Sequence, residues 1–410
     1  MRASPLVMMA FFLLSSCGSG GEASSLSSSA LSSSEPEAST SLLDSISSSE
    51  ESSASSSEAG SSSAEVSSES SVSSSSSSEN EPLEPLSVIA LEMKSTYGDS
   101  FLIKQGDYEV LVDAGTTSDA STVQAALDTY VEDDVLDLLV LTHFHTDHIG
   151  KMTNASFFGG ILVNAIVDPG VVYSSSAARS FVAMRDELVT NGSRYYPVYD
   201  LLYGSDPGPR WEIEGHGGLT IEFFDTGFVK EPGTSYGGDQ NNTSLAFTLE
   251  YGETRWLFAG DLPGSREADL VKSIKEEDPS YFADSSFNVF KACHHGSDGS
   301  NTDELLSFVE PDLVFMMAGI EKRNRTSSGI VDEQHPYLGA LERFRLYTEE
   351  VYWTSINGTT TMTSEGRVVA LEMAGRTQDY YYEGEKVDRE AERFSTVYQS
   401  KYYLAIQRLA

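Results

Sequence analysis

Basic residues are scarce in this chain: 26 Lys and Arg stand against 63 Asp and Glu, a formal net charge of −37 at pH 7. A surface of that sign repels phosphate backbones at long range, which argues against tight nonspecific binding to nucleic acid. Cysteine is scarcer, with only Cys17 and Cys293, too few for a disulfide framework. Long apolar runs are missing as well. The run from Leu6 to Leu14 falls short of the roughly 20 residues a spanning helix needs, so no transmembrane channel is expected. Histidine is also sparse. There are seven, and three of them fall inside "THFHTDHIG", residues 142–150.

The N-terminus reads as an export segment. Arg2 precedes the apolar run, small residues follow, and Leu14-Ser15-Ser16-Cys17 resembles a bacterial lipobox. The expectation is a signal peptide over 1–17 with lipidation at Cys17, giving an extracytoplasmic protein anchored to the bacterial cell membrane by lipid. Residues 18–87 are mostly serine with Ala, Glu and Pro, too poor in apolar groups to offset the entropy of ordering, and are expected to form a disordered stalk. Residues 1–87 carry twelve acidic groups against Arg2 alone, so −26 of the charge belongs to 88–410.

From residue 88 to 376 the pattern changes to short β-type runs alternating with helical ones. "SVIALEM", "FLIKQ", "YEVLVDAG", "DLLVLTH", "AIVDPG", "TIEFFD", "LAFTLEYGETRWLFAGD", "NVFKAC", "DLVFMMAG", "VYWTS" and "GTTTMTS" read as strands. "DASTVQAALDTYV", "SSAARSFVAMRDELV", the stretch from Asp303 to Phe308 and that from Pro336 to Arg345 read as helices. The apolar strands call for cover on both faces, so the expected class is α/β. Residues 377–410 are expected to be a helical extension. Phe394, Tyr398, Tyr402, Ala405 and Leu409 recur there at helical spacing.

Residues two apart on an extended chain point the same way, so His143 and His145 can present two imidazoles to one point. Asp147 and His148 follow in a turn and can reach a second point beside it. Two adjacent positions served by nitrogen and carboxylate donors suit a pair of divalent ions.

The HxHxDH motif at the end of an apolar strand resembles the metallo-β-lactamase superfamily. The resemblance implies an αββα sandwich and assigns further roles. Asp113 in "LVDAG" would orient the metal-binding loop, Asp261 in "WLFAGD" would bridge both ions, and "KACHHGS" would supply a last ligand, taken as His294 with His295 beside it. "YGDSFLI", "NNTSLAFTLEYG", "HHGS", His335-Pro336 and "TSINGTTTMTSEG" look like the hydrolase domain of the competence protein ComEC and its soluble relatives. Surface phosphorylcholine esterases share much of this pattern.

The resulting expectation is a metal-dependent hydrolase, most of all a phosphodiesterase acting on nucleic acid or a cell-wall phosphodiester, in which two Zn²⁺ or Mn²⁺ ions share an attacking hydroxide. The ligand set is His143, His145, Asp147, His148, Asp261 and His294, with Asp147, His295 and His335 in catalysis. Asn242, Ser297, Lys322, Arg323 and Arg325 are the candidate substrate contacts, and Asp99 and Asp113 the supporting carboxylates. "QNNTS" stands where the superfamily carries a third histidine of its first site, and a neutral amide such as Asn242 is a poor zinc ligand. Lactone or amide hydrolysis, and a surface binding protein that keeps only the fold, are the alternatives. The retained ligands count against the latter.

Overall fold

The computed structural model describes residues 84–95, 97–318, 335–375 and 377, with the short strands Tyr381–Tyr382 and Glu385–Lys386. The expected signal peptide, the stalk up to residue 83, Cys17, the cluster Lys322, Arg323 and Arg325, and the helix expected over 389–410 lie outside the described residues. Just past 377, where the helical extension was expected to begin, Tyr381–Tyr382 pairs antiparallel with Glu385–Lys386.

The chain first builds strands β1 (Leu86–Ala90), β2 (Phe101–Gln105), β3 (Tyr108–Val112), β4 (Val135–Val140), β5 (Leu162–Asp168) and β6 (Arg194–Pro197). Helices α1 (Ala120–Tyr130), α2 (Thr146–Ile149), α3 (Ser176–Thr190) and α4 (Val198–Tyr203) are interleaved or follow. A second series comprises β7 (Arg210–Glu212), β8 (Thr220–Phe224), β9 (Ala246–Tyr251), β10 (Thr254–Phe258), β11 (Phe287–Lys291), β12 (Leu313–Met316) and β13 (Val351–Trp353). With it come α5 (Gly264–Glu277), α6 (Asp303–Val309), α7 (Leu338–Phe344) and α8 (Thr354–Asn357). Strands β14 (Thr360–Ser364) and β15 (Val369–Met373) then return to the first sheet.

The first sheet runs β15-β14-β1-β2-β3-β4-β5-β6 and the second β13-β12-β11-β10-β9-β8-β7. Each is antiparallel in one part and parallel in the other. β3 through β6 run parallel in the first sheet, as do β10 through β13 in the second.

Period-2 alternation assigns the faces. Along β10, Trp256 and Phe258 join the core that also holds the first sheet, while Leu257 joins a second core on the far side. β12 repeats this, with Leu313 and Phe315 facing the first core and Val314 and Met316 the second. Between the sheets Phe101 stacks on Phe258 at 5.1 Å between ring centroids, and Phe258 on Phe247 at 4.8 Å. Burying each such ring contributes about 1.5–3 kcal/mol. The second core is closed by Leu270, Val271 and Ile274 of α5, Leu305 and Leu306 of α6, and Ala340 and Leu341 of α7. Val123 and Leu127 of α1 and Phe181 and Met184 of α3 belong to the first core. The result is a two-sheet α/β sandwich with helical cover, as the αββα expectation requires.

Helix α5 was not anticipated. Its "GSREADLVKSIKEE" is charge-rich, and its apolar face is narrow. One of its buried residues is Glu267, whose carboxylate accepts from Asn301 N, Thr302 N and Thr302 Oγ1 at 2.5–2.7 Å.

Candidate metal centre

Parallel strands release the chain at a common edge, and a crevice outside their carboxyl ends is the usual place for a site in open α/β sheets. Asp113 follows β3, His143 follows β4, Asp261 follows β10, and His294 and His295 follow β11. Close approach demands glycine at one joint. Gly260 has φ 51°, and a Cβ there would lie 2.8 Å from Cβ of Thr142. Asp113, His294 and His295 adopt left-handed φ of 56°, 48° and 51°. This costs on the order of 1–3 kcal/mol per non-glycine residue and persists only where the surroundings hold it.

Two donor clusters share Asp261. One comprises His143, His145 and Asp261; the other comprises Asp147, His148, Asp261 and His295. In the first, His143 Nε2 lies 3.0 Å from His145 Nδ1 and 3.8 Å from Asp261 Oδ2. In the second, Asp261 Oδ2 lies 3.2 Å from His148 Nε2 and 3.4 Å from His295 Nε2, and His295 Nε2 lies 3.4 Å from Asp147 Oδ2. Ligands bound at about 2.0–2.1 Å around a tetrahedral ion stand about 3.3–3.4 Å apart, so these separations match a metal cage. Among the described residues, His148 Nε2, His295 Nε2 and Asp261 Oδ1 are buried without well-aligned hydrogen-bond partners, a costly condition that an ion would relieve. The donor set fits divalent metal.

The structure corrects one assignment. His295, 1% exposed, occupies the place in the cluster given to His294, whose side chain is 29% exposed with Nε2 3.8 Å from Asp261 Oδ2. Strand alternation could not tell the two apart, because β11 ends at Lys291 and both histidines sit in left-handed turns. The same early end of β11 puts Cys293 in that turn, fully buried, with burial pushing its thiol well up.

Asp113 and Asp99 lie behind the clusters. Asp113 Oδ2 accepts from His148 Nδ1 at 2.7 Å and from Thr142 Oγ1 at 2.7 Å, and its other oxygen accepts from Thr142 N at 2.8 Å. Such a carboxylate–imidazole pair fixes the tautomer and orientation of a metal-binding ring. Asp99 Oδ1 stands 3.1 Å from His295 Nδ1, which also lies 2.9 Å from the Met317 carbonyl. Asp99, Asp113 and His148 themselves form a third close group, but the two carboxylates are already occupied in holding their imidazoles.

In the metal-free chain, burial works to lower the imidazoles of His148 and His295. Asp261 with Asp113 outweighs it at His148, and Asp261 with Asp99 at His295, so both are raised well above the usual range. Burial likewise opposes ionisation of Asp261, and His295 and His148 overcome it. His143 is held well below the usual value by its own burial, with the charge of His148 adding to the effect. One imidazole is thus ready to bind metal as the neutral base, while two must first lose a proton.

The remaining expected residues divide. The half-buried ring of His335 is 4.8 Å from that of His294 and 5.9 Å from that of His295, at the rim of the second cluster. Ser297 is buried, and its hydroxyl accepts from Gly299 N at 3.2 Å, which is loop-building work. Asn242 is half-buried and donates to the Asp239 carbonyl at 3.2 Å. Its turn adjoins the centre through Ser244, whose hydroxyl accepts from Asp261 N, and Leu245, whose N–H donates to the Thr142 carbonyl. His216, the remaining histidine, lies 2.8 Å from the Gln105 carbonyl at the opposite end of β2 from Asp99. Lys291, at the end of β11, is 1% exposed and ion-paired with Asp99. Sequence reasoning missed Thr142, whose position just ahead of the histidine motif was the available signal.

A sandwich with paired His/Asp clusters at the carboxyl ends of its parallel strands defines a metallo-hydrolase type of protein. The family model of the metallo-β-lactamase superfamily matches residues 95–317, more than half of the chain, and the chain belongs to that superfamily. It is similar to ComE operon protein 3 of Bacillus subtilis (strain 168), 27% identical over 235 residues, 57% of this chain and 25% of that protein. It is also similar to the probable metallo-hydrolase YhfI of the same organism, 28% identical over 176 residues, 42% of this chain and 63% of that protein. The chain therefore spans a quarter of one relative and under two thirds of the other. The crystal structure of the metallo-β-lactamase fold protein YhfI from Bacillus subtilis matches 70% of this chain and 100% of its own, at 12% identity and a TM-score of 0.38.

Proposed function

We propose that the chain is an extracytoplasmic, lipid-anchored, metal-dependent phosphodiesterase. The observation that carries the hydrolase reading is the pair of donor clusters joined at Asp261, with His148 Nε2 and His295 Nε2 both buried against its Oδ2. His143, His145 and Asp261 would hold one ion; Asp147, His148, Asp261 and His295 would hold the other. Zn²⁺ or Mn²⁺ bound there supplies a water acidified enough to attack at neutral pH and charge to stabilise the phosphoryl oxygens.

The chain's own residues then divide the work. Asp113 and Asp99 fix His148 and His295 in the tautomer that points Nε2 toward Asp261. His335 and His294, side by side at the rim, are placed to donate a hydrogen bond to a leaving oxygen. Lys151, exposed just after the histidine motif, is a candidate for a phosphate, as are Lys322, Arg323 and Arg325. With so few cations, weak and strongly salt-dependent action on nucleic acid, or action on small or wall-linked phosphodiesters, fits better than tight polyanion binding. The resemblance to the competence-type branch favours phosphodiesters over lactones.

The test compares rates on a bis-aryl phosphodiester, a lactone and a β-lactam with Mn²⁺ and with Zn²⁺. The phosphodiester should turn over fastest; faster lactone hydrolysis under both metals overturns the substrate class. For the anchor, labelled palmitate should enter the wild type and not Cys17→Ala. Equal labelling removes the lipoprotein assignment.

A further inference from the structure

Lys291 ends β11 with its ammonium enclosed, 1% exposed, a place where a charge is costly unless it is paired. Its partner is Asp99, equally buried. Nζ also donates to the carbonyl of Gly260 at 3.2 Å, and Gly260 is the left-handed residue directly before Asp261. Asp99 Oδ1 in turn stands 3.1 Å from His295 Nδ1, whose hydrogen-bond partner is the Met317 carbonyl at 2.9 Å, and the backbone N–H of Asp99 donates to the carbonyl of Asp147 at 3.2 Å. One buried ion pair therefore touches all three segments that bring Asp147, Asp261 and His295 together.

We infer that the Lys291–Asp99 pair is a positioning device that preforms the second donor cluster, setting the ring of His295 and the backbone ahead of Asp261 before an ion arrives. This rests on the metal-binding reading of the site. Stability alone does not call for such a pair. Well-packed apolar residues of similar volume commonly replace a buried ion pair at no cost, or with a gain. What apolar residues cannot do is set a carboxylate beside His295 Nδ1, in addition to the Met317 carbonyl, or a second donor on the Gly260 carbonyl, which also accepts from His294 N at 3.1 Å.

The experiment uses the full chain with Lys291→Met and Asp99→Leu combined. Lys291→Met alone strands a buried anion and is a poor probe, because it can fail to fold for that reason. In the double variant His295 Nδ1 retains the Met317 carbonyl as acceptor, so no buried donor is orphaned there. Two quantities are read: the melting temperature of the metal-free protein, and Zn²⁺ affinity by competition with a chromophoric chelator. The expected result is a metal-free melting temperature within a few degrees of wild type and a Zn²⁺ affinity lower by about 10- to 100-fold. Wild-type affinity in the double variant overturns the inference. So does a metal-free double variant that no longer folds, which would make the pair a structural element. A wild-type chain that binds neither Zn²⁺ nor Mn²⁺ overturns the metal-centre reading itself, a result distinct from both.

Discussion

The two halves of the centre share Asp261 and differ in how they are held. On the His148–His295 side each ring is braced from behind, by Asp113 at 2.7 Å and by Asp99 at 3.1 Å, and three of the four donors are buried. On the His143–His145 side there are three donors; His145 is half-buried, and its ring meets that of His143 edge-on at 4.8 Å. His143 Nδ1 lies 3.3 Å from the Thr142 hydroxyl, a weaker brace than a carboxylate. Preorganisation is thus unequal within a few ångströms. The braced half should bind first and tightest, and the open half should be where ligand exchange and substrate entry occur.

Removing what the halves share should have the largest effect. Asp261→Ala takes a donor from both clusters, and elemental analysis should find the purified protein depleted of both ions, with hydrolysis lost. Since outer partners alone are worth about 10–100-fold, loss of this direct donor should exceed about 100-fold in turnover. Retention of full metal content would break the picture of a bridging carboxylate.

Next come the single-sided losses. His148→Ala should abolish tight binding, whereas His145→Ala should leave one ion bound at near wild-type affinity, as read by metal titration. Equal effects from the two variants would erase the inequality. Asp113→Asn, which keeps the shape but weakens the brace on His148, should lower metal affinity by about 10- to 100-fold.

Acidity gives a subtler contrast. His148 and His295 are raised in the metal-free fold, so the stability they contribute is fully present below the ordinary imidazole value of about 6.5 and is lost as pH rises through their folded values. The metal-free protein should therefore melt at progressively lower temperature as pH rises from neutrality into that range. Metal affinity should move the opposite way over the same interval, because the ion must displace those protons. A scan of melting temperature against pH, with and without Zn²⁺, checks both signs. Asn242→Ala should have the smallest effect: its side chain donates to the nearby Asp239 carbonyl, and metal content should not change.

Much of this was legible in advance where a local rule applied. β2 fell on Phe101–Gln105, and the helix expected near Asp119 begins at Ala120 with Asp119 as its N-cap. The spacing of His143, His145, Asp147 and His148 implied converging metal donors, and all four fall in candidate His/Asp clusters. What failed depended on contacts between segments. The choice between His294 and His295 falls beyond the end of β11, where left-handed turns decide direction and no strand rule applies. The pairing of Lys291 with Asp99 has no local signature, since only the third dimension brings the two together. Helix α5 went unread although Leu270, Val271 and Ile274 lie at helical spacing, because the long-range bonds that make Glu267 an acceptable buried residue have no signature in its neighbours.

The most direct measurement is anomalous diffraction from crystals of the described domain grown with Zn²⁺ or Mn²⁺. Two peaks are expected, one among His143, His145 and Asp261 and one among Asp147, His148, Asp261 and His295, with the second the stronger at limiting metal. No peak at either cluster, or a single peak held by Asp99 and Asp113 in place of the histidines, would contradict the account.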